Sequence, residues 1–272
     1  LNAAECFDLK DRGAIAPGYR ADVVLLDDLK DFHVNRVFVE GTLVAEEGKY
    51  LPEIKKCDIS SVKGSVIVKD FSKEKFKMNL KSNKVNVIKI LPGGVVTAKD
   101  TAEIELDANG EFVRNPEVDL VKVAVVERHQ GTGNVACGFL KGYGIKEGAV
   151  ALSVAHDSHN IIVVGVNDEE MEFAVNSLIE QEGGIVLVKE GKVIESMPMP
   201  IAGLMSDQSG EWVDQKLTDI HEKAYEELGI CGDVEPVMTL CFMSLAVIPE
   251  IKLTDMGLFD VTTFSFIPVE VE

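Results

Sequence analysis

The chain has 272 residues, of which 46% are hydrophobic and 27% charged, and its formal net charge at pH 7 is -19. The apolar share excludes an intrinsically disordered chain, and the acidic excess excludes a surface that binds the phosphate backbone of nucleic acid. No apolar run is long enough to span a membrane. The chain begins at Leu1 with no signal-peptide pattern, so we expect a cytoplasmic protein or a piece of one.

The first domain is predicted to cover residues 1–52 and to consist of short strands. An apolar run from Ala21 to Leu26 precedes two further runs, Arg36 to Glu40 and Thr42 to Ala45, which flank Gly41 as in a hairpin. These strands are too few for an independent sandwich. We therefore expect them to be the closing strands of a small β-sandwich whose other strands lie elsewhere.

Residues 53–119 are predicted to form a β-rich connecting segment that packs with the domain after it. Its β-branched, alternating runs predict strands at Val62 to Lys69, Lys84 to Ile90, Val95 to Ala98 and Ala102 to Leu106. The pair Asn109-Gly110 is typical of a type I′ turn. Many lysines lie here, and we interpret them as the wet face of half-buried strands rather than an anion-binding strip.

Residues 120–272 are predicted to form a domain with the order β-β-α-β-β-α. Its strands are expected at Val121 to Val126, Ala149 to Ala155, Ile161 to Gly165, Ile185 to Val188 and Lys192 to Ser196. Asn167 and Ser209 are predicted to cap two amphipathic helices, the second of which ends near Gly229. This order predicts an α+β fold and not a (β/α)₈ barrel, which needs alternating strand–helix units.

Scattered cysteines without a Cys-x-x-Cys pair argue against a zinc knuckle or redox pair, and we expect them to be buried small hydrophobic residues. The segment from Arg128 to Ala136 fits the G-x-G-x-x-A dinucleotide pattern. That pattern requires a helix directly afterwards, and the following glycines at positions 138, 142 and 144 disfavour one. We expect instead a turned glycine loop that places Arg128 and His129.

The densest polar cluster joins two predicted strands and consists of His156, Asp157, Ser158, His159 and Asn160. Such groups could ligate a metal, shuttle protons or hydrogen-bond a purine edge. Ordinary loop chemistry, in which the side chains bond their own turn, is equally compatible with the pattern. The His-x-x-His spacing lacks the geometry of a helical zinc-protease motif.

Two blocks of the sequence prompt recognition of a family. Gly13 to Asp27 and Val34 to Val44 resemble the strand return that follows the barrel in metal-dependent amidohydrolases. Glu127 to Asn134, Ala155 to Gly165 and Pro200 to Ser206 resemble the C-terminal domain of adenine deaminases. The resemblance extends along essentially the whole chain.

The resemblance implies a hydrolase that converts adenine to hypoxanthine and ammonia in purine salvage, with a two-metal centre of manganese or iron in a barrel. The sequence contains no His-x-His ligand pair, so we expect a portion without the catalytic barrel, without a metal site of its own and inactive alone. Adenine, the missing barrel half and a second copy of the chain are the expected partners. The alternative is a non-catalytic binding or oligomerisation module that shares this domain.

In the intact enzyme, the loop from His156 to Asn160 is expected to face the active site. Loops held by rigid strands commonly carry binding and catalytic groups. We hypothesise that this loop, supported by Arg128 and His129, closes over the substrate or helps to bind it. No residue of this chain is assigned a certain catalytic role.

Overall fold

The computed structural model describes residues 1–271, which divide into two compact units, the first Leu1–Asp58 and the second beginning at Ile59. The first unit contains α1 (Asn2–Cys6) and an antiparallel sheet in the order β1-β2-β3-β4, with β1 (Val23–Leu26), β2 (Val34–Val39), β3 (Thr42–Glu46) and β4 (Lys49–Tyr50). The predicted hairpin at Gly41 is confirmed. Helix α1 was not predicted.

The first unit has almost no core of its own. Ala4 is its single buried apolar residue, whereas strand residues such as Val24 and Leu25 are exposed. Burial of apolar surface is the main term that stabilises an independent domain. The apolar side chains of these strands are therefore not covered by other residues of the same unit.

The second unit is mostly β-structure. Its strands are β5 (Lys84–Ile90), β6 (Thr97–Glu103), β7 (Glu105–Leu106), β8 (Phe112–Val113), β9 (Leu120–Val126), β10 (Val135–Lys141), β11 (Ala149–Leu152), β12 (Ile161–Gly165), β13 (Gly184–Lys189), β14 (Lys192–Pro198), β15 (Ile251–Thr254), β16 (Gly257–Asp260) and β17 (Ser265–Phe266). Its helices are α2 (Asp168–Glu180), α3 (Gly210–Glu226) and α4 (Pro236–Cys241), with 3₁₀ turns at Ser60–Val62 and Lys73–Phe76.

An eight-stranded mixed sheet organises this unit in the order β14-β13-β11-β12-β9-β10-β5-β6, and only β10 and β5 are paired in parallel. Strand β9 is buried on both faces, since Val123 and Val125 pack in the core beside α3 while Ala124 and Val126 pack beside α2. Two-sided burial explains its continuous apolar run. Small sheets β15-β16-β17 and β7-β8 complete the unit.

The predicted order β-β-α-β-β-α occurs as β11, β12, α2, β13, β14 and α3, but β9 and β10 precede this run and α4, β15, β16 and β17 follow it. Both predicted helix caps form: the side chain of Asn167 accepts the Glu170 N–H at 2.8 Å, and the Ser209 hydroxyl accepts the Trp212 N–H at 3.3 Å. Gly229 follows α3 with a φ of +68°, a conformation that glycine adopts without strain.

Several predicted strands differ from the observed ones. Residues 63–69 form no strand, and Ser60–Val62 is a 3₁₀ turn; the alternating valines at 66 and 68 pack on the core beside α2 without a partner strand. The strands predicted at Val95 to Ala98 and Ala102 to Leu106 are mainly one, β6, because it pairs with β5 along seven residues. Strand β11 ends at Leu152 and not at Ala155.

The turn at Asn109-Gly110 joins β7 and β8 but is not of type I′. Only Gly110 has a positive φ, of +80°, whereas a type I′ turn needs it at both central residues. The carboxylate of Asp107 accepts N–H groups from Asn109 at 2.7 Å and Glu111 at 2.9 Å. This local bonding selects the wider turn.

Two further findings concern cysteines and hydropathy. The expectation of buried cysteines is wrong for Cys6, Cys57 and Cys231, which are exposed, while Cys241 is buried. Within residues 1–271, no helix combines the length and the apolar character needed to cross a membrane.

Candidate functional site

Two polar loops lie at the same ends of two neighbouring strands in the middle of the large sheet. The first loop, residues 127–134, follows β9, and the second, residues 153–160, precedes β12. Strands β9 and β12 are antiparallel, and Val126 lies opposite Ile161. Pairing therefore brings the end of one strand beside the start of the other, so both predicted polar segments meet at one place.

The first loop is organised around the carboxylate of Glu127, which is 6% exposed. Its oxygens accept N–H groups from His129 at 2.5 Å, Gln130 at 2.8 Å and Thr132 at 2.9 Å, and the Thr132 hydroxyl at 3.0 Å. Burial by itself would raise the pKa of Glu127, but these bonds to Thr132, Gln130 and His129 lower it to about 2. The glycine loop is thus fixed from inside by a buried anion.

Replacing Glu127 by Gln is expected to lower the free energy of unfolding by about 1.5 kcal/mol at pH 7, because the amide nitrogen cannot accept the Thr132 donors. The folded-state pKa lies below the ordinary value of 4.5, so this stabilisation is present above pH 4.5 and is lost as pH falls toward 2. Urea unfolding at pH 7 and pH 3 should show the gap between wild type and variant shrinking. Equal stability at pH 7 would contradict this role, and the exposed Glu117→Gln is the matched control.

Arg128 joins three segments of the site. Its side chain is buried, and its Nε donates to the His159 carbonyl at 2.5 Å while both Nη atoms donate to the Ala202 carbonyl at 3.3 Å. Burial lowers the pKa of the guanidinium. A Cβ at Gly203 would lie 2.7 Å from Nη1, so the segment around residue 203 approaches Arg128 closely because it lacks a side chain.

The second loop carries two histidines with different surroundings. The Nδ1 atom of His159 is buried and has no hydrogen-bond partner among the described residues. Burial first, and then the nearby His156 and Arg128, lower the pKa of His159. The ring of His156 is partly exposed, lies 4.7 Å from the Phe242 ring and 5.8 Å from that of His159. His159, with its pKa held below the ordinary value, thus lies beside the rings of His156 and Phe242.

Asp255, in the turn between β15 and β16, ties the two loops together. One carboxylate oxygen accepts the Asn160 amide at 3.2 Å and the other accepts the Asn134 amide at 3.2 Å. Asn160 also accepts the Arg128 backbone N–H at 3.3 Å. Sequence analysis missed Asp255, since no local pattern marks a carboxylate about a hundred residues from its partners.

The remaining predicted residues lie at the rim of this arrangement. His129 is exposed, and its Nε2 lies 2.7 Å from the Ser158 carbonyl. Ser158 and Asp157 are exposed, and Asp157 approaches His156 at 3.6 Å. The structure therefore brings together all seven residues predicted from the sequence, with Arg128 and Asn160 buried beneath the histidines.

Two other chemistries do not fit the geometry. Strand β10 and not a helix follows the glycine loop, so the dinucleotide pattern lacks the helix N-terminus that would hold a pyrophosphate. Across residues 1–271, no group of three or more His, Cys, Asp or Glu side chains could hold a metal ion. The metal centre implied by the resemblance has no ligand set among these residues.

Comparison with known proteins gives a consistent family. The model of the adenine deaminase C-terminal domain matches residues 94–265. Adenine deaminase 2 of Desulfotalea psychrophila is 66% identical over 99% of this chain, and the adenine deaminases of Ligilactobacillus salivarius and Halalkalibacterium halodurans are 47% and 44% identical over its whole length.

The match also has a defined extent. The chain spans about half the length of these curated relatives, 47%, 47% and 46% respectively. The matched domain contains both polar loops, the Gly203 segment and Asp255. This chain belongs to the adenine deaminase family and carries its C-terminal domain.

Proposed function

We propose that this chain is part of an enzyme that hydrolyses adenine to hypoxanthine and ammonia, acting in adenine catabolism and purine salvage in the cytoplasm. The observation that carries the proposal is the family match over residues 94–265, which includes the whole candidate site. Water supplies the oxygen of hypoxanthine, and the exocyclic amino group leaves as ammonia. Adenine is neutral, so the net charge of -19 does not oppose its binding.

The two-metal centre of manganese or iron belongs, in this proposal, to a barrel outside the present residues. Residues 1–52 supply the closing strands of the small β-sandwich beside that barrel, which accounts for their uncovered apolar side chains. Residues 53–119 pack with the domain formed by residues 120–272, consistent with β5 and β6 sharing a sheet with β9. The assembled enzyme is a homo-oligomer.

The site residues of this chain help to position the substrate and do not perform the hydrolysis themselves. We assign the loop from His156 to Asn160 to closing over the adenine site, with Arg128 and His129 as its supports. Support comes from the fixed geometry, since Arg128 holds the His159 backbone at 2.5 Å. Neutral imidazole offers both a donor and an acceptor, which suits the edge of a purine.

In a full-length adenine deaminase carrying this chain, His159→Ala should lower kcat/KM for adenine at least tenfold, because the enzyme loses one hydrogen-bonding group at the substrate. Steady-state kinetics with metal content and thermal unfolding measured in parallel provide the test. Unchanged kinetics in a normally folded, metal-loaded variant would refute the role of the loop.

His33→Ala, in the first unit, is the matched control and should leave kcat/KM unchanged, since His33 is exposed and its ring bonds the exposed Asp27 carboxylate. The 272-residue chain alone should release no ammonia from adenine. Robust activity from it would refute the assignment of the reaction to the other part of the enzyme.

A further inference from the structure

Three aromatic rings lie together on the sheet β15-β16-β17, and an exposed methionine, Met256, lies in the turn between β15 and β16. The Phe259 ring lies 5.2 Å from those of Phe264 and Phe266, at interplanar angles of 84° and 78°. Phe264 is 74% exposed, Phe266 51% and Met256 72%. We call these four residues the aromatic patch, and their free apolar area is on the order of 300 Å².

The turn that carries Phe264 is held rigidly from beneath by Asp260. This buried carboxylate accepts the Thr262 hydroxyl at 2.6 Å, the Thr262 N–H at 3.0 Å, the Thr263 N–H at 3.2 Å and the Lys99 ammonium at 3.0 Å. The Thr262 hydroxyl and Lys99 lower the pKa of Asp260 to about 2 against the opposing effect of burial. Exposed rings on an ordered turn lose little entropy when a partner covers them.

The aromatic patch lies near the turn that carries Asp255, whose carboxylate bonds both polar loops. Gly257, two residues after Asp255, lies against Phe266, since a Cβ at Gly257 would be 3.6 Å from the Phe266 ring. A partner seated on the patch therefore lies close to the loop that carries His156 and His159. The relatives are about twice as long as their match to this chain, so a second part of similar length accompanies this domain.

We propose that the aromatic patch docks on an apolar surface of that second part of the enzyme and thereby places the two polar loops toward the adenine site. The proposal rests on the proposed function. Large exposed aromatic groups with a polar surround are typical of interface centres. The competing occupant is a second copy of the chain, and dilution of the full-length enzyme distinguishes the two.

Hydroxyl-radical footprinting of the full-length enzyme and of the 272-residue chain tests this assignment. Oxidation of Met256, Phe264 and Phe266 should be at least tenfold slower in the full-length enzyme. Met238, which is 53% exposed on α4, is the internal control and should react at similar rates in both. Phe264→Ser in the full-length enzyme should restore much of the Met256 reactivity, while Phe173→Ser on α2 should not.

Equal oxidation of the patch in the two proteins would overturn the proposal. Protection that disappears when the full-length enzyme is diluted to monomers would also overturn it, because the occupant would then be a second copy. An active enzyme with an unprotected patch refutes the docking surface alone. A protected patch in an enzyme that does not deaminate adenine refutes the proposed function alone.

Discussion

Replacing Lys252 by Met is expected to raise the free energy of unfolding by about 2–3 kcal/mol at pH 7. Lys252 is fully buried on β15, and its Nζ donates to the Val95 carbonyl at 3.0 Å. No carboxylate pairs with it among residues 1–271. Burial lowers the pKa of Lys252 from 10.5 to about 8. This shift means that the charged ammonium destabilises the folded state by about 3 kcal/mol. Methionine fills a similar volume without this cost.

The effect has a defined pH dependence. The folded-state pKa lies below the unfolded one, so the cost is complete below pH 8 and is relieved as pH rises toward 10.5. Urea unfolding at pH 7 and pH 10 should show the advantage of Lys252→Met shrinking at the higher pH. The exposed Lys89→Met on β5 is the matched control, with an expected change within about 0.5 kcal/mol. A variant less stable than wild type at pH 7 would contradict the argument.

Local signals in the sequence predicted the elements that local chemistry determines. Asn167 and Ser209 identified both long helices, since a cap side chain bonds an N–H only three residues away. Strands β5 and β12 were predicted with their observed bounds, because β5 alternates β-branched with polar residues and β12 is a β-branched run preceded by a polar loop. Such elements depend little on distant parts of the chain.

Elements that depend on distant partners were predicted less well. Strand β10 was missed because Gly138 and the glycine loop before it weaken the strand pattern, yet β10 pairs with β9 along seven residues. Residues 63–69 were predicted to form a strand and form none. Alternation of apolar and polar residues indicates that a segment is half-buried, but it does not reveal whether a partner strand exists.

The candidate site also has parts that the local sequence predicts and parts that depend on distant contacts. Both polar loops were found from their composition, and pairing of β9 with β12 brought them together. Asp255 was not found, because it reaches Asn134 and Asn160 only through the packing of β15 and β16 on the sheet. The role of Gly203 likewise follows only from its distance to Arg128.

Replacing Arg128 by Met should lower the free energy of unfolding of the 272-residue chain by about 4 kcal/mol. Arg128 is 1% exposed, so the carbonyls of His159 and Ala202 would lose their buried donors with no water to replace them. Each unsatisfied buried carbonyl costs about 1–3 kcal/mol, and the loss of a charged donor adds to it. Chemical denaturation measures this change directly.

Arg128→Lys tests the geometry of the guanidinium, and we expect about half the loss, because one ammonium cannot donate to both carbonyls as the planar fork does. Arg36→Met is the control, since Arg36 pairs with Glu46 on the surface at 2.8 Å and exposed pairs contribute at most about 1 kcal/mol. If Arg128→Met and Arg36→Met were equally mild, Arg128 would not hold the loops. Hydrogen exchange locates the effect. If Arg128→Met is strongly destabilised and also exchanges faster than wild type at residues 156–160, under conditions where both remain folded, the lost stabilisation lies in this loop. The reason is that Arg128 bonds the loop backbone at the His159 carbonyl.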